Sequence, residues 1–220
     1  MAGMHVQSTF LWKMACEARD RAKESYAKNP KIYAWDAIPA VVLSAATTEA
    51  FINELVQWIE ITLRGETPPE PQALYKSLVD VLGELESMRA SLELKYLMAS
   101  FILAGKAFEK GKPPYQDFAK LVWLRHYIVH PKPPVVELFK KENKLPLPNF
   151  APPELIKDFQ QIKLAREEPG IVALTTPQLA AWACETARVI IVAVLDLIKD
   201  SPSDPTGMFK LGFRKSMGTK

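Results

Sequence analysis

Arg125, His126 and His130 lie within six consecutive positions, in the segment WLRHYIVHP at 123–131. Imidazole exchanges protons near neutral pH, and guanidinium binds phosphate oxygens through two parallel hydrogen bonds. The third histidine, His5, lies far away near the start of the chain. Segment 123–131 therefore carries the residue types needed for acid–base chemistry on a phosphate group.

Arg125 falls within an apolar stripe of the helix that the periodicity predicts here. A buried guanidinium requires a carboxylate partner or an anionic ligand. Two interpretations stay open for Arg125: a structural ion pair, or a cation that serves a site. The residues of this stripe are Phe118, Leu121, Val122, Ile128 and Val129.

In an ideal helix, His130 would point about 140° away from Arg125. The two side chains could then hardly contact the same phosphate group. Pro131 changes this expectation, because the residue before a proline is disfavoured in the α conformation. We expect the helix to end near Val129 and His130 to be directed back toward Arg125. The alternative is that His130 only caps the last carbonyls of the helix.

Glu49 and Asn53 lie one turn apart in a second predicted helix that is apolar on nearly every side. Such a helix is central in a bundle or buried against a second copy, and polar groups on it need partners. They could form hydrogen bonds between helices that orient the bundle. Alternatively, Glu49 holds Arg125 and Asn53 supports the pair.

The elements that must position these residues are indicated by 18 prolines and only 9 glycines. The prolines cluster between long proline-free stretches, which favours helices separated by breakers. Scarce glycine disfavours a sandwich or barrel. We predict an all-α fold that consists of a single helical bundle. The predicted helices lie at about 8–27, 36–63, 72–88, 91–108, 114–129, 153–165 and 176–199. There are seven helices if the third and fourth are separate, and six if these two form one kinked helix.

The predicted domain spans residues 1–200, including a proline-rich loop at 131–153, and a basic tail at 201–220 is expected to be disordered. The formal net charge is only +3, and the tail accounts for all of this excess. The rest of the chain is nearly neutral, which argues against a sequence-specific DNA-binding protein with a broad basic face.

Cys16 and Cys184 match no metal-ligand spacing, and with three histidines in the chain we expect neither a metal site nor a cofactor. Both are interpreted as buried thiols of a reducing compartment. The first residues do not resemble a signal peptide, and the longest apolar run, 189–195, is far shorter than the ~20 residues of a membrane span. These features predict a cytoplasmic protein without a membrane partner.

Segment 123–131 resembles the signature of the HEPN superfamily, in which an arginine is followed by four to six residues, the first of them polar, and then a histidine. Residues 44–55 (SAATTEAFINEL) resemble an early family helix with its Glu-Ala-x-x-Asn ending. Residues 94–96 (LKY) and the long apolar last helix are also similar to family features. The resemblance covers residues 8–199.

This resemblance implies an up-and-down helical bundle that forms a homodimer, with two Arg-His motifs facing one cleft. Many members are metal-independent ribonucleases that act as toxins or anti-phage effectors, some paired with a nucleotidyltransferase-like antitoxin. His130 would then be the general acid or base, Arg125 the phosphate clamp and His126 a polar support, with Glu49 and Asn53 fixing Arg125. The alternative is a non-enzymatic dimeric binding or scaffold module.

RNA would be guided by lysines of the loop that follows the motif, although neighbouring acidic residues partly cancel their charge. The candidates are Lys132, Lys140 and Lys141. The five tryptophans fall on separate helices at no regular spacing, so we expect them to pack in the interior rather than to stack on bases. They are Trp12, Trp35, Trp58, Trp123 and Trp182.

Overall fold

The computed structural model describes residues 6–64, 72–130, 153–168, 170–198, 213–215 and 217–218. Every regular element in these ranges is helical, which confirms the predicted all-α class. The α-helices are α1 (Gln7–Lys28), α2 (Ala37–Leu63), α3 (Gln72–Ser87), α4 (Leu92–Ala104), α5 (Tyr115–Val129), α6 (Pro153–Gln161) and α7 (Pro177–Leu197), with a 3₁₀ helix at Gly170–Leu174.

Local capping decides that α3 and α4 are two helices and not one kinked helix. The Ser91 hydroxyl accepts a hydrogen bond from the Leu94 N–H at 3.3 Å, which starts α4. Gly105 ends α4 in the left-handed region, with φ 68°, and donates its N–H to the Phe101 carbonyl at 2.8 Å.

The start of α7 follows the sequence pattern. The Thr176 hydroxyl accepts the Leu179 N–H at 3.0 Å, and Pro177 occupies the first helical position. Thr176 is therefore the N-cap, as its position before the proline predicts.

The start of α1 is capped from a distant part of the chain. Glu54, only 8% exposed, accepts the backbone N–H of Ser8 at 3.0 Å and also the Ser8 hydroxyl. A carboxylate is stabilising at a helix N-terminus, where backbone N–H groups lack helical partners. The serine near the start of α1 thus acts as a donor to Glu54 and does not cap the helix itself.

Contacts divide the chain into two compact units. The first comprises Met1–Trp12, Ala46–Ala119 and Thr186–Lys220, and the second comprises Lys13–Ala45 and Lys120–Glu185. In the first, Tyr96 and Phe118 are fully buried with ring centroids 4.4 Å apart. The second contains a core of small side chains, namely Ala18, Ala22, Ala34, Ala37, Ala40 and Ala180.

Part of the C-terminal tail is packed, contrary to the expectation of disorder. Residues 213–215 form a helical turn, and Phe213 is only 1% exposed. Its ring meets that of Phe51 edge to face, with centroids 5.0 Å apart, and Arg214 pairs with Asp196. The tail therefore contributes an anchor to the first unit, while residues 199–212 lie outside the described ranges.

Helix α7 is the one described helix that is long and apolar enough to cross a membrane. In its most apolar stretch of 18 residues, 56% of the residues are buried inside the protein. Core helices of proteins that do not cross a membrane can be equally long and apolar.

Candidate functional site

His126 and His130 lie side by side at the C-terminal end of helix α5. His126 and His130 are both exposed, and their ring centroids lie 5.1 Å apart. The helix ends at Val129, as predicted from Pro131, but the His130 N–H still donates to the His126 carbonyl at 2.9 Å.

The ring of His130 contacts that of His126, because residues four apart share one face of a helix and His130 keeps the helical hydrogen bond to His126. The approach of His130 to Arg125 stays a prediction. Pro131, which was expected to redirect His130, lies outside the described residues.

Arg125 occupies the boundary between the buried and exposed sides of α5. Leu121 and Leu124 are fully buried, Arg125 itself is half-buried, and Val129 is 43% exposed. The predicted apolar stripe is thus only partly interior. Arg125 is engaged in an interaction within the protein.

Glu49 departs from the predicted environment, whereas Asn53 forms a hydrogen bond between helices, as one of the two alternatives predicts. Glu49 is exposed, although the sequence placed it in an apolar neighbourhood, and it also has an interaction of its own. Asn53 is half-buried and accepts a hydrogen bond from Lys95 Nζ at 3.4 Å. Both residues belong to the first unit and Arg125 to the second, so their role in fixing Arg125 stays a prediction.

Trp123 extends the exposed face that carries the histidines. It is 41% exposed, and its ring lies 6.1 Å from that of Tyr127. The prediction of interior packing is wrong for Trp123 and for Trp35, which is 53% exposed. The spacing of Trp123, His126 and His130 by three and four residues could have indicated this shared face from the sequence.

The lysines proposed to guide RNA, Lys132, Lys140 and Lys141, lie outside the described residues, as does nearly all of the loop at 131–153. Within the part of the chain that the structure describes, no three His, Cys, Asp or Glu side chains come together in an arrangement that could hold a metal ion.

The two cysteines, both predicted to be buried thiols, are hydrogen-bonded to each other inside the second unit, and the prediction of burial is confirmed for Cys184 but wrong for Cys16. Cys16 is half-exposed and Cys184 is buried, where it accepts a hydrogen bond from the Ser44 hydroxyl at 3.6 Å. Hydrogen bonding by Cys184 lowers the pKa of Cys16 to about 7, more than burial raises it. The same hydrogen bond and burial raise the pKa of Cys184. Positions 16 and 184 are too far apart in the chain for the pairing to be read from spacing.

Alkylation by iodoacetamide is expected to distinguish the two thiols. Because the thiolate is the nucleophile, modification of Cys16 should rise with pH around a midpoint of about 7, while Cys184 stays unmodified in the folded protein. In Cys184→Ala the midpoint should move up toward the ordinary thiol value of about 8.5. Peptide mass spectrometry measures both, and a midpoint that is the same in wild type and Cys184→Ala would contradict the pairing.

Comparison of the chain with family models, characterised proteins and solved structures gave no match. The fold and the site define an all-α protein with an exposed two-histidine face. Its likeness to the HEPN superfamily therefore depends on the residues of 44–55, 94–96 and 123–131 themselves.

Proposed function

We propose that this protein is a metal-independent endoribonuclease of HEPN type. The observation that carries the proposal is the pair of exposed imidazoles on α5, 5.1 Å apart, with the half-buried Arg125 immediately before them in the chain. Cleavage of a phosphodiester without a metal requires groups that exchange protons and a cation that stabilises the charge on the phosphate. Imidazole and guanidinium are side-chain groups of these two kinds.

His130 is the general acid or base of this proposal. As the base, it takes the proton of the RNA 2′-hydroxyl while the 2′-oxygen attacks phosphorus and the bond from phosphorus to the 5′-oxygen breaks. The leaving 5′-oxygen receives a proton from the solvent, to which His130 later returns its own, and the products are a 2′,3′-cyclic phosphate and a 5′-hydroxyl. Arg125 binds the phosphate oxygens on which charge develops, and His126 orients the neighbouring ring of His130.

A single-stranded substrate suits this face. Trp123 exposes an aromatic surface one helical turn before His126, and bases of single strands stack on such surfaces at about 1–3 kcal/mol each. Lys132, Lys140 and Lys141 would supply backbone contacts. With a net charge of only +3, binding to RNA in general should be weak, as suits an enzyme restricted to particular targets.

The biological setting belongs to the same proposal. A homodimer would bring two copies of the site toward one cleft, because a two-fold interface repeats every group. A toxin, anti-phage or stress role in the cytoplasm follows from the family resemblance, with a nucleotidyltransferase-like antitoxin as a candidate partner.

Cleavage of RNA in excess EDTA tests the proposal. Purified protein should cut a single-stranded oligoribonucleotide and leave cyclic-phosphate ends, which mass spectrometry of the products identifies. The matched substrate with 2′-deoxy sugars should stay intact, because it lacks the attacking oxygen. If neither single-stranded nor structured RNA is cut, ribonuclease activity is excluded. The result would then favour the alternative function, a non-enzymatic dimeric binding or scaffold module.

A further inference from the structure

A buried lysine lies on α4, away from the histidine face in the chain and within the first unit. The Lys95 side chain is only 8% exposed, and its Nζ donates to the Glu86 carboxylate and, at 3.4 Å, to Asn53 Oδ1. Removing an ammonium group from water costs several kcal/mol unless charge and hydrogen bonds compensate. A lysine at this position therefore depends on an anion beside it.

Glu86 is the solvent-exposed member of this pair. Its side chain is 61% exposed, whereas that of Lys95 is 8% exposed. The buried ammonium requires an anion beside it, but the exposed Glu86 carboxylate would be hydrated if another anion replaced it. The Glu86 carboxylate can thus turn into solvent when another anion takes its place on Lys95.

A pocket of about 300 Å³ lies beside this pair. Its walls combine apolar side chains with two amides, from Ile52, Val56, Leu82, Asn53 and Gln57. This volume is at the lower end of the range of about 300–1,000 Å³ that is typical of small-molecule sites, which also combine apolar walls with few polar groups. We call it the Lys95 pocket.

Gly83 lines the Lys95 pocket from the middle of α3, where glycine costs about 0.8–1 kcal/mol relative to alanine, and it is exposed to solvent. A Cβ built on Gly83 would meet nothing within 4 Å, so no packing contact requires the missing side chain.

We propose that the Lys95 pocket binds a small organic carboxylate. The ligand's carboxylate takes the place of the Glu86 carboxylate on Lys95 Nζ, and its apolar body lies against Ile52, Val56 and Leu82. The ion pair with Glu86 shows that a carboxylate can bind to the Lys95 ammonium group in this position. Lys95 is the basic residue among the described lining residues, and one positive charge matches a monoanion better than a phosphate dianion. The proposal does not depend on ribonuclease activity.

Hexanoate and its neutral analogue hexanamide are the probes. In NMR titrations of the ¹⁵N-labelled full chain, hexanoate should shift the Gly83 backbone amide and the Asn53 side-chain amide in a saturable way, with a Kd of about 1 mM for a ligand of this size. Hexanamide and inorganic phosphate should give no saturable shift at these positions.

Two variants locate the site. Glu86→Gln removes the competing anion and should tighten hexanoate binding about tenfold, equivalent to about 1.4 kcal/mol. Gly83→Ala is the control: it should raise Tm through its higher helix propensity and bind hexanoate like wild type, because a Cβ at Gly83 meets nothing within 4 Å.

Three results would overturn the proposal. They are equal binding of hexanoate and hexanamide, binding of phosphate in preference to hexanoate, and no saturable shift with hexanoate in both wild type and Glu86→Gln. If Glu86→Gln bound hexanoate no more tightly than wild type, Lys95 Nζ would not hold the carboxylate of the ligand.

Discussion

Replacing His130 by alanine is expected to lower RNA cleavage by at least about a hundredfold, because general acid–base catalysis typically contributes a factor of about 10²–10⁴. His130 is exposed and lies just after the last residue of α5, so its side chain contributes little to the core. The free energy of unfolding should therefore change by no more than about 0.5 kcal/mol. Initial cleavage rates in EDTA and urea denaturation of the same preparations measure the two effects.

His5→Ala is the matched control, because it removes the one histidine that lies far in the chain from segment 123–131. It should cleave RNA at the wild-type rate. His126→Ala should lose less activity than His130→Ala, since His126 orients the neighbouring ring and does not itself exchange the proton. Wild-type rates in His130→Ala would remove His130 from the mechanism, and an equal loss in His5→Ala would show that the effect is not specific to α5.

The fold class and several helix ends could be predicted because they depend on local chemistry. Pro131 predicts the end of α5 at Val129, and Thr176 with Pro177 predicts the start of α7. The helical wheel also places His126 on an accessible side of α5, where it lies. Caps, breakers and periodicity act over one or two turns, so the sequence alone contains them.

The partners of polar groups could not be predicted in the same way. Periodicity shows which residues share a face, but not which face meets another element. Glu54 at the start of α1, Lys95 beside Glu86, and the pair of Cys16 with Cys184 all join positions distant in the chain or on separate helices. For the same reason Glu49, expected in an apolar neighbourhood, is exposed.

Phe213 is the clearest case in which composition gives the wrong expectation. The tail at 201–220 is basic and rich in glycine, proline and serine, so the sequence predicts disorder there. Yet the Phe213 ring is buried edge to face against Phe51, itself fully buried. One aromatic side chain is enough to fix a polar segment when it fills a site in the core, because burying it contributes more than the nearby exposed charges.

Phe213→Ala should therefore lower the free energy of unfolding by about 3–5 kcal/mol, the usual cost of deleting a buried phenylalanine and leaving a cavity. The edge-to-face contact with Phe51 accounts for about 0.5–1.5 kcal/mol of such a loss. Urea denaturation followed by circular dichroism measures it. Lys215→Ala, an exposed substitution in the same turn, should stay within about 0.5 kcal/mol of wild type. Equal midpoints for Phe213→Ala and wild type would mean that the turn at 213–215 does not pack in solution, and residues 201–220 could then be removed without loss of stability.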